Sequence, residues 1–361
     1  MGPTPFISAA PMPAPSVEQA WLQLVRARVD ASLAELLELP DEARLDIRWT
    51  EALGHVREYV LRPTSRMRPA LLLAGYCLAR GSASVPAGLW RFAAGLELLH
   101  AFAAIHDDAA EQSVLRRGGL TLHHLLAPGA TGQHLSVVVG DHLYARAMET
   151  LLGSELPGAT QASQYFLKLC RYSAVGRYAE LQRGGAFLSP GGVLRAWRLA
   201  RLRMVREGLA SALVCGAMLA GADAELRLRL ARVGCHMGLA HELREELRGL
   251  FGGARGAVQA PRCDFLGNRR TFPVAAAWSR ALPEARRELE ALWSLPAERR
   301  DERALGRVRR LVEESGGRSA TEHLVTRASH GAVNALAELP NPNGLRELVQ
   351  ALIGQLAHRI V

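Results

Sequence analysis

Apolar residues recur at spacings of three and four along almost the whole chain, as in Trp21, Leu22, Val25, Val29 and Leu33, and no convincing run of alternating β-branched residues interrupts them. That period puts side chains on one face of a helix and not of a strand, so the chain is predicted to be all-α. Gly and Pro clusters punctuate the pattern at Pro40, 62–64, 81–86, 128–129, 157–158, 189–192, 252–256 and 340–344. They delimit about ten to twelve helices. No linker of distinct composition divides the middle, so one helical domain over 17–361 is expected. Residues 1–16 are rich in Pro and Ala and lack Lys, Arg and an apolar core segment. They read as a disordered tail and not as a signal peptide.

Composition narrows the class. With 49% of 361 residues hydrophobic, the chain can bury enough surface to offset its ordering entropy, which excludes disorder over most of its length. The longest apolar runs, around Leu96 to Ile105 and Leu209 to Ala220, fall short of the roughly twenty residues a bilayer-crossing helix needs. No membrane span is expected. Cys77, Cys170, Cys215, Cys235 and Cys263 lack CxxC spacing, which argues against a zinc site or a disulfide framework and fits a reducing cytoplasm. The formal charge is +9, and Lys168 is the only lysine. The arginines are spread over helical faces and not clustered with aromatics, so nucleic acid is not an expected partner.

Chemistry concentrates where a strongly apolar helix from Leu96 ends in His106-Asp107-Asp108-Ala109-Ala110-Glu111. Asp107 and Glu111 are four apart and share a helix face, with Asp108 beside them. Carboxylates at that density raise one another's pKa unless a cation neutralises them, and a hard divalent ion suits oxygen ligands. Arg116, Arg117 and Gly118 follow, then Thr121 and His123. Paired guanidinium forks beside acids suit an anionic ligand clamped between arginine and carboxylate-held metal.

On these residues the chain resembles the all-trans isoprenyl diphosphate synthases, the polyprenyl synthetase family. Its first aspartate-rich motif and the following RRG-x-x-T-x-H match residues 106–111 and 116–123 in register, with Glu111 for the third Asp. The family's GGKRxRP looks like Pro63 to Pro69, with Ser65 where the lysine belongs. Gly140-Asp141 resembles its GD pair, and Gly176-Arg177-Tyr178-Ala179-Glu180-Leu181 its GQ-x-x-DL. Arg206-Glu207 aligns with a lysine-threonine pair, and His241 to Gly249 with FQ-x-x-DD-x-x-D. Asp264 to Thr271 is similar to DLREGKRT, with Arg269 for the lysine.

The resemblance implies a single bundle around a central cavity. Two acidic motifs would face each other there and hold three Mg²⁺ on an allylic diphosphate, which isopentenyl diphosphate then attacks. Asp107 and Asp108 would be the principal metal ligands, with Glu111, Glu245 and Glu246 in support. Arg116 would contact the allylic diphosphate and, like Arg117, belong to the catalytic set. Arg66, Arg68, His100, Arg117, Arg206, Glu242 and Arg269 would line the substrate sites. Phe102, five before Asp107, and the small Ala103 beside it would set chain length, favouring a geranylgeranyl product with farnesyl second. A homodimer is implied, or a hetero-oligomer with an active synthase.

Three other readings stay open on the residues. Ser65, Glu207, Glu242 and Gly249 fit a partner or regulatory subunit that does not condense substrate. A class I terpene cyclase uses a related cavity, although no Asn-Asp-x-x-Ser-x-x-x-Glu motif is present. A protein-binding helical scaffold would leave Asp107 and Asp108 on the surface.

Overall fold

The structure is a computed structural model that describes residues 17–181, 188–252, 264–265, 267–269, 271–341 and 344–358. The proposed tail at 1–16 lies outside the described residues, as do the side chains of Arg206 and Glu207. Helices dominate: α1 (Val17–Leu36), α2 (Ile47–Leu61), α3 (Met67–Arg80), α4 (Ala87–Glu111), α5 (Leu122–Leu126), α6 (Gly129–Leu152), α7 (Ala159–Leu181) and α8 (Gly192–Glu207) form the first part. Then come α9 (Leu209–Leu219), α10 (Ala224–Phe251), α11 (Phe272–Arg280), α12 (Pro283–Trp293), α13 (Glu302–Glu314), α14 (Gly317–Ala337) and α15 (Leu345–His358).

There are more helices than the punctuation suggested, because single residues break runs that read as continuous. Gly208, with φ 70°, separates α8 from α9. Pro283 opens α12 directly after extended Ala281 and Leu282. A second departure is a two-stranded ribbon, β1 (Leu115–Arg116) and β2 (Gly119–Leu120), paired through Arg116 and Gly119. Strands of two residues are too short to show a period of two in sequence. Its two-residue loop, Arg117–Gly118, has φ of 51° and 79°, the positive pair that a type I′ hairpin demands.

Two hydrophobic clusters share the long α10 and α14. One also gathers α1 to α7, α9 and α15, the other α8 and α11 to α13. In the first, α3 and α9 touch backbone to backbone. A Cβ on Gly75 would lie 2.0 Å from the Leu213 carbonyl oxygen, and one on Gly216 would lie 1.9 Å from that of Leu72. The glycine of the Gly140-Asp141 pair does related work: a Cβ there would meet His106 Nε2 at 2.5 Å, so α6 can cross α4 at the turn that carries the acids.

Candidate active site

Helix α4 is apolar nearly all round and buried, which fixes the acids at its C-terminal end against neighbouring elements. Asp108 is fully buried and Asp107 is 9% exposed. That burial removes the scaffold reading, which required both on the surface. The helix stops at Gln112 in a left-handed conformation, φ 53°, and the hairpin folds the next residues back over the last turn. Arg116 thereby forks onto Asp108, Nε to Oδ2 at 2.6 Å and Nη2 to Oδ1 at 2.8 Å, while Tyr59 Oη donates to Oδ2 at 2.9 Å. Burial works to lower the Arg116 pKa, but the bonds to Asp108 outweigh it and hold it up. Burial raises the Tyr59 phenol, so it stays protonated as a donor.

Asp107 and Glu111 are arranged differently. Both meet Arg177 of α7, whose Nε lies 3.0 Å from Asp107 Oδ1 and whose Nη1 lies 2.6 Å from Glu111 Oε1. The same guanidinium is 3.5 Å from Glu180. Thus the pair one helical turn apart holds a cation between its carboxylates, and water reaches both side chains in part. These two carboxylates are the ones that could hold a divalent ion if Arg177 turned outward. Asp108, expected as a principal ligand, instead has both oxygens committed to Arg116 and Tyr59.

The acids of α10 sit in another setting. Arg203 of α8 bonds Glu180 and Glu246, the latter at 2.5 Å, and lies 3.7 Å from Glu242. The second oxygen of Glu246 accepts the Phe272 N–H at 2.8 Å. Burial pushes Glu246 up to about 7, against the pull of Arg203. Glu245 pairs with Arg244 at 2.7 Å and Arg248 at 3.1 Å. Burial alone would raise its carboxyl, but His241, Arg244 and Arg248 together hold it below the usual range. At Gly249 a Cβ would stand 2.3 Å from Asp264 Oδ2. Asp264 is buried, its pKa is raised by that burial, and it pairs with Arg269 at 3.1 Å. These residues do not present the released oxygen ligands that Mg²⁺ needs at about 2.0–2.1 Å.

Two cavities adjoin the acids. An apolar one of about 240 Å³ is lined by Asp107 and Arg177 together with His100, Phe102, Ala103, Tyr144 and Phe166. Phe102 meets Tyr144 at a tilt, 5.2 Å between ring centres, and His106 edge-on at 4.5 Å. The other, about 560 Å³, is lined by Arg26, Arg66, Arg68 and Arg117 with Glu97. Burial and the neighbouring Arg66 and Arg68 bring the Arg117 guanidinium down to about 10, against the pull of Glu97. Crowded cations of this kind are relieved by an anion. Arg66, expected to bind substrate, is only 2% exposed and is held by Asp30 and Glu97, both at 2.8 Å, and by the Val60 carbonyl. It braces the basin more than it lines it.

Sequence reading did not assign Tyr59, Arg177, Glu180, Arg203, Arg26 or Asp264 to the site. Arg177 was visible as the departure from GQ-x-x-DL. Arg203 carries no signal, being one of several arginines at helical spacing on α8.

Comparison with known proteins establishes the family and the fold. The polyprenyl synthetase profile matches residues 50–311. The (2E,6E)-farnesyl diphosphate synthase of Mycobacterium tuberculosis is 26% identical over 303 residues, 82% of this chain and 78% of the relative. A geranylgeranyl diphosphate synthase of the same species is 29% identical over 264 residues, 72% and 71% of the two chains. In fold, the chain is similar to the geranylgeranyl pyrophosphate synthase of Corynebacterium glutamicum, solved with isoprenyl diphosphate and magnesium. The TM-score is 0.77 at 24% identity, covering 94% of this chain and 98% of that one. The polyprenyl synthase of Caulobacter crescentus, solved with calcium and isoprenyl diphosphate, gives 0.79 at 24% identity, covering 97% and 100%.

Proposed function

Because the chain belongs to the polyprenyl synthetase family, we propose that it joins isopentenyl diphosphate to an allylic diphosphate and makes a short all-trans prenyl diphosphate, geranylgeranyl diphosphate first and farnesyl second. The observation that carries this reading is the apolar cavity whose lining brings Asp107 and Arg177 together with the Phe102–Tyr144 pair. An allylic chain would lie in it with its diphosphate at the acids. Isopentenyl diphosphate would take the arginine basin, held by Arg68 and Arg117 and approached by Arg26, which stands in the same basin as Ser65.

Asp107 and Glu111 would hold a divalent ion, whose charge eases departure of the diphosphate. Arg177 would turn from the two carboxylates to the leaving group. Arg116 would act as a positioning residue through Asp108, keeping the last turn of α4 in place. Phe102 lies five residues before Asp107, about 7.5 Å along the helix axis at 1.5 Å per residue, so the growing chain meets an aromatic wall. Ala103 beside it leaves space to pass.

Incubation with Mg²⁺, isopentenyl diphosphate and each of dimethylallyl, geranyl and farnesyl diphosphate, read by mass spectrometry after dephosphorylation, tests the reading. A twenty-carbon alcohol is expected, and Phe102→Ala should lengthen it. An unchanged product distribution in that variant would remove Phe102 as the wall.

A second reading, a subunit that binds diphosphate without condensing it, is favoured by one observation: the acids of α10 are held by Arg203, Arg244 and Arg248. Folded protein that elongates no primer would select it. For assembly we infer a homodimer through α6 and α7, where Val138, Tyr172, Val175 and Tyr178 are exposed. Sedimentation should give twice the 39.1 kDa chain mass.

A further inference from the structure

The three α10 positions that correspond to the family's second set of metal-binding acids each fail for a different physical reason. Glu245 is turned to Arg244 and Arg248 and is 38% exposed. Glu246 has one oxygen on Arg203 and the other on the Phe272 N–H, so neither is available without breaking a buried contact. Gly249 offers no ligand, and the carboxylate of Asp264 already occupies the space a side chain would enter. Asp264 Oδ2 lies against Gly249 with no hydrogen-bond partner among the described residues, while Oδ1 is held by Arg269.

At the centre of this half stands Arg203, whose side chain is 4% exposed and which joins Glu180 to Glu246. A guanidinium cannot be deprotonated at neutral pH and offers several fixed donors, so it is a permanent cation where a dissociable one would otherwise sit. Its removal would strand the buried carboxylate of Glu246 and leave Glu180 with Arg177 as its partner. Bringing a divalent ion into contact with Glu246 would require displacing Arg203 into no available solvent. Arg177 differs, since its side chain is 16% exposed and lines the apolar cavity, so it can exchange with an ion.

We propose that the α10 half of this chamber holds no metal ion and that the buried guanidinium of Arg203 supplies the positive charge there. The inference rests on the diphosphate reading above. Its consequence is an asymmetric chamber with at most one exchangeable ion, at Asp107 and Glu111, and a built-in cation facing it.

Equilibrium dialysis of the full-length protein against Mn²⁺ and inorganic pyrophosphate, counting both per chain, tests it. Bound pyrophosphate with no more than one Mn²⁺ per chain is expected, with that count unchanged in Glu246→Gln and reduced in Asp107→Asn. Two or three Mn²⁺ per chain, or an ion lost in Glu246→Gln, would overturn the proposal and leave the diphosphate reading standing. Absence of bound pyrophosphate at every Mn²⁺ concentration would overturn the diphosphate reading, and this proposal with it.

Discussion

The acid clusters on α4 and α10 have similar composition and opposite availability. Asp107, Asp108 and Glu111 close one helix, and Glu242, Glu245 and Glu246 lie in another, each group within one or two turns. On α4 the cation between Asp107 and Glu111 comes from a partly exposed side chain that lines a cavity. On α10 the central cation is sealed inside. The chemistry open to a carboxylate therefore depends less on the motif that carries it than on how firmly a cation has already been committed to it.

The sharpest way to break the contrast is to remove each cation. Arg203→Met should destabilise the fold by about 3–5 kcal/mol, since it leaves buried charge uncompensated, and urea unfolding measures that directly. Arg177→Met should cost less than Arg203→Met, since Arg177 and its partners are 10–18% exposed whereas Arg203 and Glu246 are 3–4% exposed. Equal losses would mean that the two halves are alike. On the activity side, Asp107→Ala should lower turnover by about two to three orders of magnitude, as for loss of one electrostatic stabiliser, with an unchanged melting temperature. Retained condensation would overturn the assignment of Asp107.

Much of this contrast was legible in the sequence on one side only. The helical period specified the architecture because an apolar stripe repeats over many turns. The ribbon at Leu115 to Leu120 left no trace because two residues make no period. The sharing of a face by Asp107 and Glu111 followed from their spacing. The separate role of Asp108 did not, because adjacent residues differ by about 100° around a helix of 3.6 residues per turn, and what waits in that direction is supplied by α2 and the hairpin. Arg203 was illegible for a related reason. Of Arg195, Arg198, Arg201 and Arg203 on α8, only the packing of α8 on α10 and α11 decides which is buried. Arg66 shows the converse: a motif arginine expected at the substrate is also engaged by Asp30 on α1, which its own motif does not announce.

Restoring the absent acid sharpens the comparison at smaller cost. Gly249→Asp recreates the family's third position, yet its Cβ would fall 2.3 Å from Asp264 Oδ2, and Arg269 restrains that carboxylate. Overpacking of this kind costs about 1–3 kcal/mol. The melting temperature should fall in Gly249→Asp and recover in part when Asp264→Gly is added. A stable single variant that gains a bound Mn²⁺ would show that the α10 half is only missing a ligand.

The smallest expected effect is on pH dependence, and it separates the halves without any substitution. Glu246 ionises near pH 4.5 when unfolded and is raised to about 7 in the fold, mainly by burial. Between those values the native state binds more protons than the unfolded chain, so stability falls as pH rises through this window and levels off above it. Salt-bridged carboxylates with depressed pKa values, such as Glu245, act in the opposite sense at lower pH. Glu246→Gln should therefore flatten the decline between about pH 5 and 7. A slope that survives this variant would place the buried proton on another acid of the chamber, of which Asp264, also raised by burial, is the next to replace.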